Sequence, residues 1–165
     1  MDPDKLKAMY LRWLSEEWGQ GDYSVADELI AEDLIDHNPM PGQPAGRAGE
    51  VWMAKMIRAA FPDARFQADV VVSDGEYVAG RWTMTATNTG RFELFGLPPT
   101  GRPVTMTGQE IFLVRDGKFA EVWHQEDVPG MLAALGLEPP PAMMRLAARR
   151  SARRYRRERG RTPAR

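Results

Sequence analysis

The chain contains no cysteine and only two histidines, His37 and His124. The first absence excludes disulfides, thiolate metal ligands and thiol nucleophiles. The histidines fall on different elements, so a transition-metal site would have to be completed by carboxylates, and none is expected. Familiar signatures are missing too: no G-x-G-x-x-G after a strand, no P-loop, no G-x-S-x-G elbow and no H-E-x-x-H. No cofactor is therefore expected, and any chemistry falls to ordinary side chains in a dry pocket. No apolar run approaches the length of a bilayer span, and Met1 to Lys7 are charged and polar rather than signal-like. A cytoplasmic protein without a membrane partner is the expectation.

What is present suits one α+β domain: 165 residues, of which 43% are hydrophobic and 27% charged. The net charge of -1 conceals two opposed parts. Residues 142–165 hold ten arginines against one acid, Glu158, which leaves 12 basic and 22 acidic residues in 1–141. A basic tail on an acidic body suits contact with acidic surfaces but does not make the protein a nucleic-acid binder. The expected division is a folded domain over 1–141 and an Arg-rich tail over 142–165, partly helical or disordered, after the rigid spacer Glu138-Pro139-Pro140-Pro141.

Along the chain, Asp2-Pro3 opens a helix whose apolar face is Leu6, Tyr10, Trp13, Leu14 and Trp18, stopped by Gly19 and Gly21. Ser24 opens a short second helix, with Asp27 as its capping-box partner and Val25, Leu29 and Ile30 facing inward. The proline- and glycine-rich stretch from Asp36 to Gly46 reads as a loop. A third helix, Arg47 to Phe61, is expected to bury Trp52, Met53, Met56, Ile57 and Ala60. The period then becomes two. Phe66, Ala68, Val70 and Val72 alternate with polar residues, and Asp74-Gly75 turns the chain into a strand carrying Val78, Trp82, Met84 and Ala86. Two more strands, Val104 to Val114 and Phe119 to His124, complete four antiparallel strands before Asp127 caps a helix ending at Gly136. The helices are expected to pack on a strongly curved sheet and to enclose an apolar pocket.

His124 is the leading chemical candidate. It faces the same way as Val122 and sits just before the helix that Asp127 opens, whose positive end would keep the ring neutral and able to act as a base. The competing reading is a packed histidine bonded to backbone. Asp127 is either a cap alone or a carboxylate that also orients His124. Glu110 interrupts an apolar strand, facing opposite to Gln109; it is either a pocket carboxylate with His124 or an arginine as partner, or exposed. His37, beside Asp36 and Asn38, is either a site residue or part of a solvated turn. Trp18, Trp82 and Phe112 serve as core, as pocket lining, or as both.

Several passages resemble SnoaL-like polyketide cyclases, within the nuclear-transport-factor-2-like superfamily that includes scytalone dehydratase and ketosteroid isomerase. They are Trp18-Gly-Gln-Gly-Asp22, Asp33-Leu-Ile-Asp-His-Asn-Pro39, Phe95-Gly-Leu-Pro-Pro-Thr-Gly101, and Asp116-Gly-Lys-Phe-Ala-Glu-Val-Trp123 with Asp127 and Leu132-Ala-Ala-Leu-Gly136. The resemblance spans residues 5–136, leaves out the Arg tail, and implies a cone-shaped barrel of curved antiparallel sheet with N-terminal helices on its concave face. It also implies ring closure in a polyketide-type intermediate without metal or cofactor, and a homodimer formed through the outer sheet face. The family's catalytic aspartate falls on His124, a second family aspartate on Asp127, and a pocket glutamine on Glu110. Those substitutions leave open an aldol-type closure or a shape-driven one such as cycloaddition. The expected partner is a small hydrophobic substrate, with catalysis by His124, Asp127 and Glu110 and binding by His37, Trp18, Trp82 and Phe112. The alternatives are a non-catalytic small-molecule-binding or dimerisation module, and a hydrolase or isomerase acting on a small substrate.

Overall fold

The structure is a computed structural model that describes residues 1–137 and 141–159. It divides into two units, Met1–Leu135 and Gly136–Arg165. In the first, α1 (Pro3–Trp13) begins at an Asp2 cap that accepts a hydrogen bond from the Asp4 amide, 3.0 Å long, and buries Leu6, Tyr10 and Trp13 one turn apart. The chain then widens into a π-helical turn, Leu14–Gln20, which buries Leu14 and Glu17. Gly21 ends it at φ 76°, a left-handed conformation that glycine adopts without a Cβ penalty. Arg58 donates to the carbonyls of Trp18 and Gly19 near that end, supplying partners that the turn's backbone lacks.

The expected capping box does not form: the Ser24 hydroxyl donates to Asp22 over 2.6 Å, and α2 (Val25–Leu29) starts without a side-chain cap. The larger correction follows. Ile30–Asp36, read as the end of a helix and the start of a loop, is a strand, β1. The sheet thus has five strands rather than four, in the order β1-β5-β4-β3-β2, and is mixed because β1 runs parallel to β5. A register shift within β1 breaks its inward alternation, so no period of two was available to read.

The third helix, α3 (Arg47–Ala60), packs through Gly49, Glu50, Ala54, Ile57 and Ala60; Trp52 and Met56, expected inside, are only half-buried. Strand β2 (Arg65–Ser73) carries a bulge between Ala68 and Val70 that reverses its alternation and turns Val70 and Val72 to the exposed face. The longer strands β3 (Tyr77–Thr87) and β4 (Pro103–Arg115) alternate as expected, burying Val78, Trp82, Met84 and Ala86, then Val104, Met106, Glu110 and Phe112. β5 (Lys118–Glu126) leads into α4 (Val128–Ala134), where Asp127 accepts from the Gly130 amide at 2.9 Å. The inner sheet face and the helices on it bury the aromatic core of Tyr10, Trp13, Phe112 and Phe119.

In the second unit, Pro141–Arg159 form a 19-residue helix, α5. The spacer residues 138–140 and the last arginines of the tail, Arg161 and Arg165, lie outside the described residues. Among the described residues no helix is long and apolar enough to cross a membrane.

Candidate active site

Between the inner sheet face and the helices lies a cavity of about 80 Å³, partly open to solvent. Its wall is largely aromatic and aliphatic and includes Trp18, Trp82 and Phe112, three of the residues singled out in the sequence. Glu110 and His124 reach the same cavity, and the register sets them directly opposite each other on β4 and β5.

His124 stands between two carboxylates. Its Nδ1 lies 2.7 Å from Glu126 Oε1 and its Nε2 3.0 Å from Asp36 Oδ1. Glu126 shares its face because β5 alternates, whereas Asp36 arrives from the end of β1, which pairs Asp36 with Val122. Burial works against a charge on the ring, but the hydrogen bonds and negative charges of Asp36 and Glu126 outweigh it and push His124 up to about 10. The expectation of a neutral ring is therefore overturned: two facing carboxylates override the field of a seven-residue helix. The imidazolium acts in return on Asp36. Burial alone would raise that carboxyl, yet bonds from His124, the Asn38 amide (2.8 Å) and Gln43 (2.8 Å) leave it lowered.

Glu110 is buried, and its partners are neither His124 nor an arginine. Tyr10 donates to Oε1 in a short hydrogen bond, and the Trp82 indole donates to Oε2 at 2.7 Å. Burial dominates those two bonds and pushes Glu110 up to about 8, so it is chiefly a neutral acid at neutral pH. Burial, together with the nearby Glu110, also raises Tyr10.

Two expected residues lie elsewhere. Asp127 caps α4 and does not line the cavity; the carboxylates beside the ring are Asp36 and Glu126 instead. His37 stacks on Trp123, with ring centroids 4.3 Å apart, and its Nε2 is 2.9 Å from Glu121 Oε2. Trp123 and Glu121 alternate with Val122 and His124, so His37 belongs to the opposite side of the sheet.

Sequence reasoning missed Asp36, Glu126, Glu50 and Glu17. Glu126 was within reach, two residues beyond His124 on one strand face. Glu50 heads the inward stripe Glu50-Ala54-Ile57 of α3 and lines the cavity. Burial raises Glu50, partly offset by the His124 charge. Glu17 also left a signal: it falls four residues after Trp13 and seven after Tyr10, in the middle of the first helix's apolar face, and the structure buries it there. Among the described residues no cluster of side chains is arranged to hold a metal ion.

The model of the SnoaL-like polyketide cyclases matches residues 8–135. The chain belongs to that family. No protein of curated function matches it. Among solved structures, IdmH of Streptomyces antibioticus, a proposed polyketide cyclase, is 34% identical over 79% of this chain and 98% of its own, with a TM-score of 0.67. AclR of Streptomyces galilaeus, a proposed hydroxylase, is 27% identical over 82% of this chain and 98% of its own, with a TM-score of 0.71. TsrD of Streptomyces laurentii, at 23% identity, covers 84% of this chain and 99% of its own with a TM-score of 0.75, a likeness of fold. The family's cone-shaped α+β architecture is present here with its sheet open rather than closed.

Proposed function

We propose that this SnoaL-like protein closes a ring in a polyketide-type intermediate, using side chains alone in the apolar cavity. The carrying observation is His124, held between Asp36 and Glu126 at the polar end of an otherwise apolar wall. A carbon flanked by two carbonyls is already acidic, so one modest base suffices. Glu126 fits that role: Oε1 is taken by His124, while Oε2 has no side-chain partner among the described residues and belongs to a residue lining the cavity. The imidazolium stabilises negative charge on the substrate's oxygens in a setting that excludes water. A substrate oxygen approaching Nε2 displaces Asp36, which keeps the Asn38 amide and Gln43 as donors. The aromatic walls hold a flexible chain with its reacting carbons together, which supplies much of the acceleration. Glu110, neutral and fixed by Tyr10 and Trp82, adds an acid to the wall. Asp127 acts at one remove, by setting the turn from β5 into α4.

A charged histidine also suits a cycloaddition, in which polarising one carbonyl is all that the side chains supply. Hydroxylation is the second reading, favoured by the likeness to AclR. Presented with linear aromatic polyketide mimics, the purified protein should accelerate ring closure. Glu126→Gln and His124→Ala should each lose about a hundredfold in kcat. Full rates in both variants, with unchanged melting curves, would overturn the assignment of this cavity as the site of cyclisation.

A further inference from the structure

Ring closure by attack on a carbonyl leaves an alkoxide on the acceptor carbon, and that oxygen must take up a proton. Two buried carboxyls remain unused. Glu17, on the π-helical turn, has no exposed surface, and neither of its oxygens has a hydrogen-bond partner among the described residues. A carboxylate buried in that way is costly, so the group keeps its proton: burial raises Glu17 well above the usual carboxylate range, and the charge of Glu50 raises it further.

The other charged groups on the elements around the π-helical turn are turned elsewhere. Arg12 is held by Glu16 and Glu28, Asp69 pairs with Arg81, and Arg47 pairs with Asp27. Lys55 lies over the Tyr23 ring, Arg65 is exposed, and Arg58 gives its terminal nitrogens to the carbonyls of Trp18, Gly19 and Pro62, leaving Nε buried without a partner among the described residues. Glu50 in turn feels His124, Asp36 and Glu126, its charge acts on Glu110 across the same cavity, and Glu17 does not reach that cavity.

We propose that Glu50 is the proton donor of the cavity and that Glu17, beyond the cavity wall, holds the second proton of a buried acid pair. This rests on the ring-closing reading. Glu126 takes the proton from the carbon between the carbonyls. The enolate carbon bonds to the acceptor carbonyl carbon, and the π pair of that carbonyl moves onto its oxygen. Glu50 gives its O–H proton to that oxygen and becomes a carboxylate near the His124 imidazolium. Turnover consumes no proton: Glu126 carries one more and Glu50 one less until they exchange. Glu17, still protonated, spares the buried pair a double charge meanwhile.

Carbon-13 NMR of the glutamate carboxyls in the ligand-free full chain, with Glu50→Gln and Glu17→Gln for assignment, tests the pair directly. Both carboxyls should titrate above the ordinary carboxylate range as one coupled system, and Glu50→Gln should lower the midpoint of Glu17. Ring-closure rates across pH test the donor. Glu50→Gln should lose about a hundredfold. Glu17→Gln should keep the rate at mildly acidic pH but fall in one alkaline step where the parent falls in two. Ordinary titration of either carboxyl, or an unchanged rate in Glu50→Gln, would overturn the proposal while leaving ring closure intact. High titration of both carboxyls without any ring closure would overturn the cyclase reading and leave the acid pair standing.

Discussion

Glutamine at position 110 would keep the shape that Tyr10 and Trp82 grip and remove the group that ionises. Burial holds Glu110 up to about 8, against an ordinary value of 4.5, so the folded chain binds a proton that the unfolded chain releases. Its contribution to stability is full below 4.5 and lost as pH rises through 8. His124 has the same sign at higher pH: raised from 6.5 to about 10, it contributes fully below 6.5 and no longer above 10. Asp36, lowered, works the other way and loses its contribution as the solution becomes acidic. Melting temperature should therefore decline from mildly acidic to alkaline pH, and Glu110→Gln should flatten the part of that decline below pH 8. Parallel declines in parent and variant would show that Glu110 titrates as an ordinary surface acid. Strand alternation put His124 on the face of Val122 and Glu110 on that of Gly108 and Phe112, but left open whether Glu110 was inward or exposed. The charge on His124 was not legible, because Asp36 lies 88 residues away in sequence and joins the ring only through parallel pairing of β1 with β5. A local argument from the following helix had no access to that partner.

Elements built on a clean period were readable, and those with an inserted residue were not. β3 follows its alternation from end to end and β4 does so from Pro103 to Phe112, before Phe112 and Leu113 are buried side by side. The bulge in β2, the shift in β1 and the π-helical turn each change a register without leaving a mark on composition. Those irregularities bear on the site: the π-helical turn buries Glu17, and β1 delivers Asp36. Two glycines do the opposite work, removing side chains from regular strands. Gly108 faces Trp82 across the β3–β4 ladder, and Gly80 faces Tyr10, so both rings can lie over the sheet and reach Glu110. A methyl group at 108 would run into the Trp82 indole, so Gly108→Ala should cost about 1–3 kcal/mol in urea unfolding. It should also shift the Trp82 emission. Undiminished stability would mean that the indole does not cross that strand, and the donor to Glu110 Oε2 would then be misassigned.

The outer face of the sheet remains to be covered. Val70 and Val72 on β2 are 55% and 56% exposed and Ile111 on β4, across β3 from them, is 46% exposed, an apolar surface unusual for a chain that stays alone in water. We propose that a second copy covers it, as the family resemblance implies, and that the tail beyond 141 stands apart from this contact. The charges make the two modes of association separable. The tail carries about nine excess positive charges and the remainder about ten negative ones, so pairing through the tail must weaken as salt shortens the screening length to about 10 Å at 0.1 M. Burial of valine and isoleucine is indifferent to that screening. Light scattering should therefore report a dimer for the full chain and for a chain ending at 141, at low and high salt alike. Val72→Lys with Ile111→Lys should give monomers whose melting temperature no longer rises with protein concentration. A dimer that dissolves in salt, or that disappears with residues 142–165, would place the association in the arginine tail and leave the sheet face to another partner.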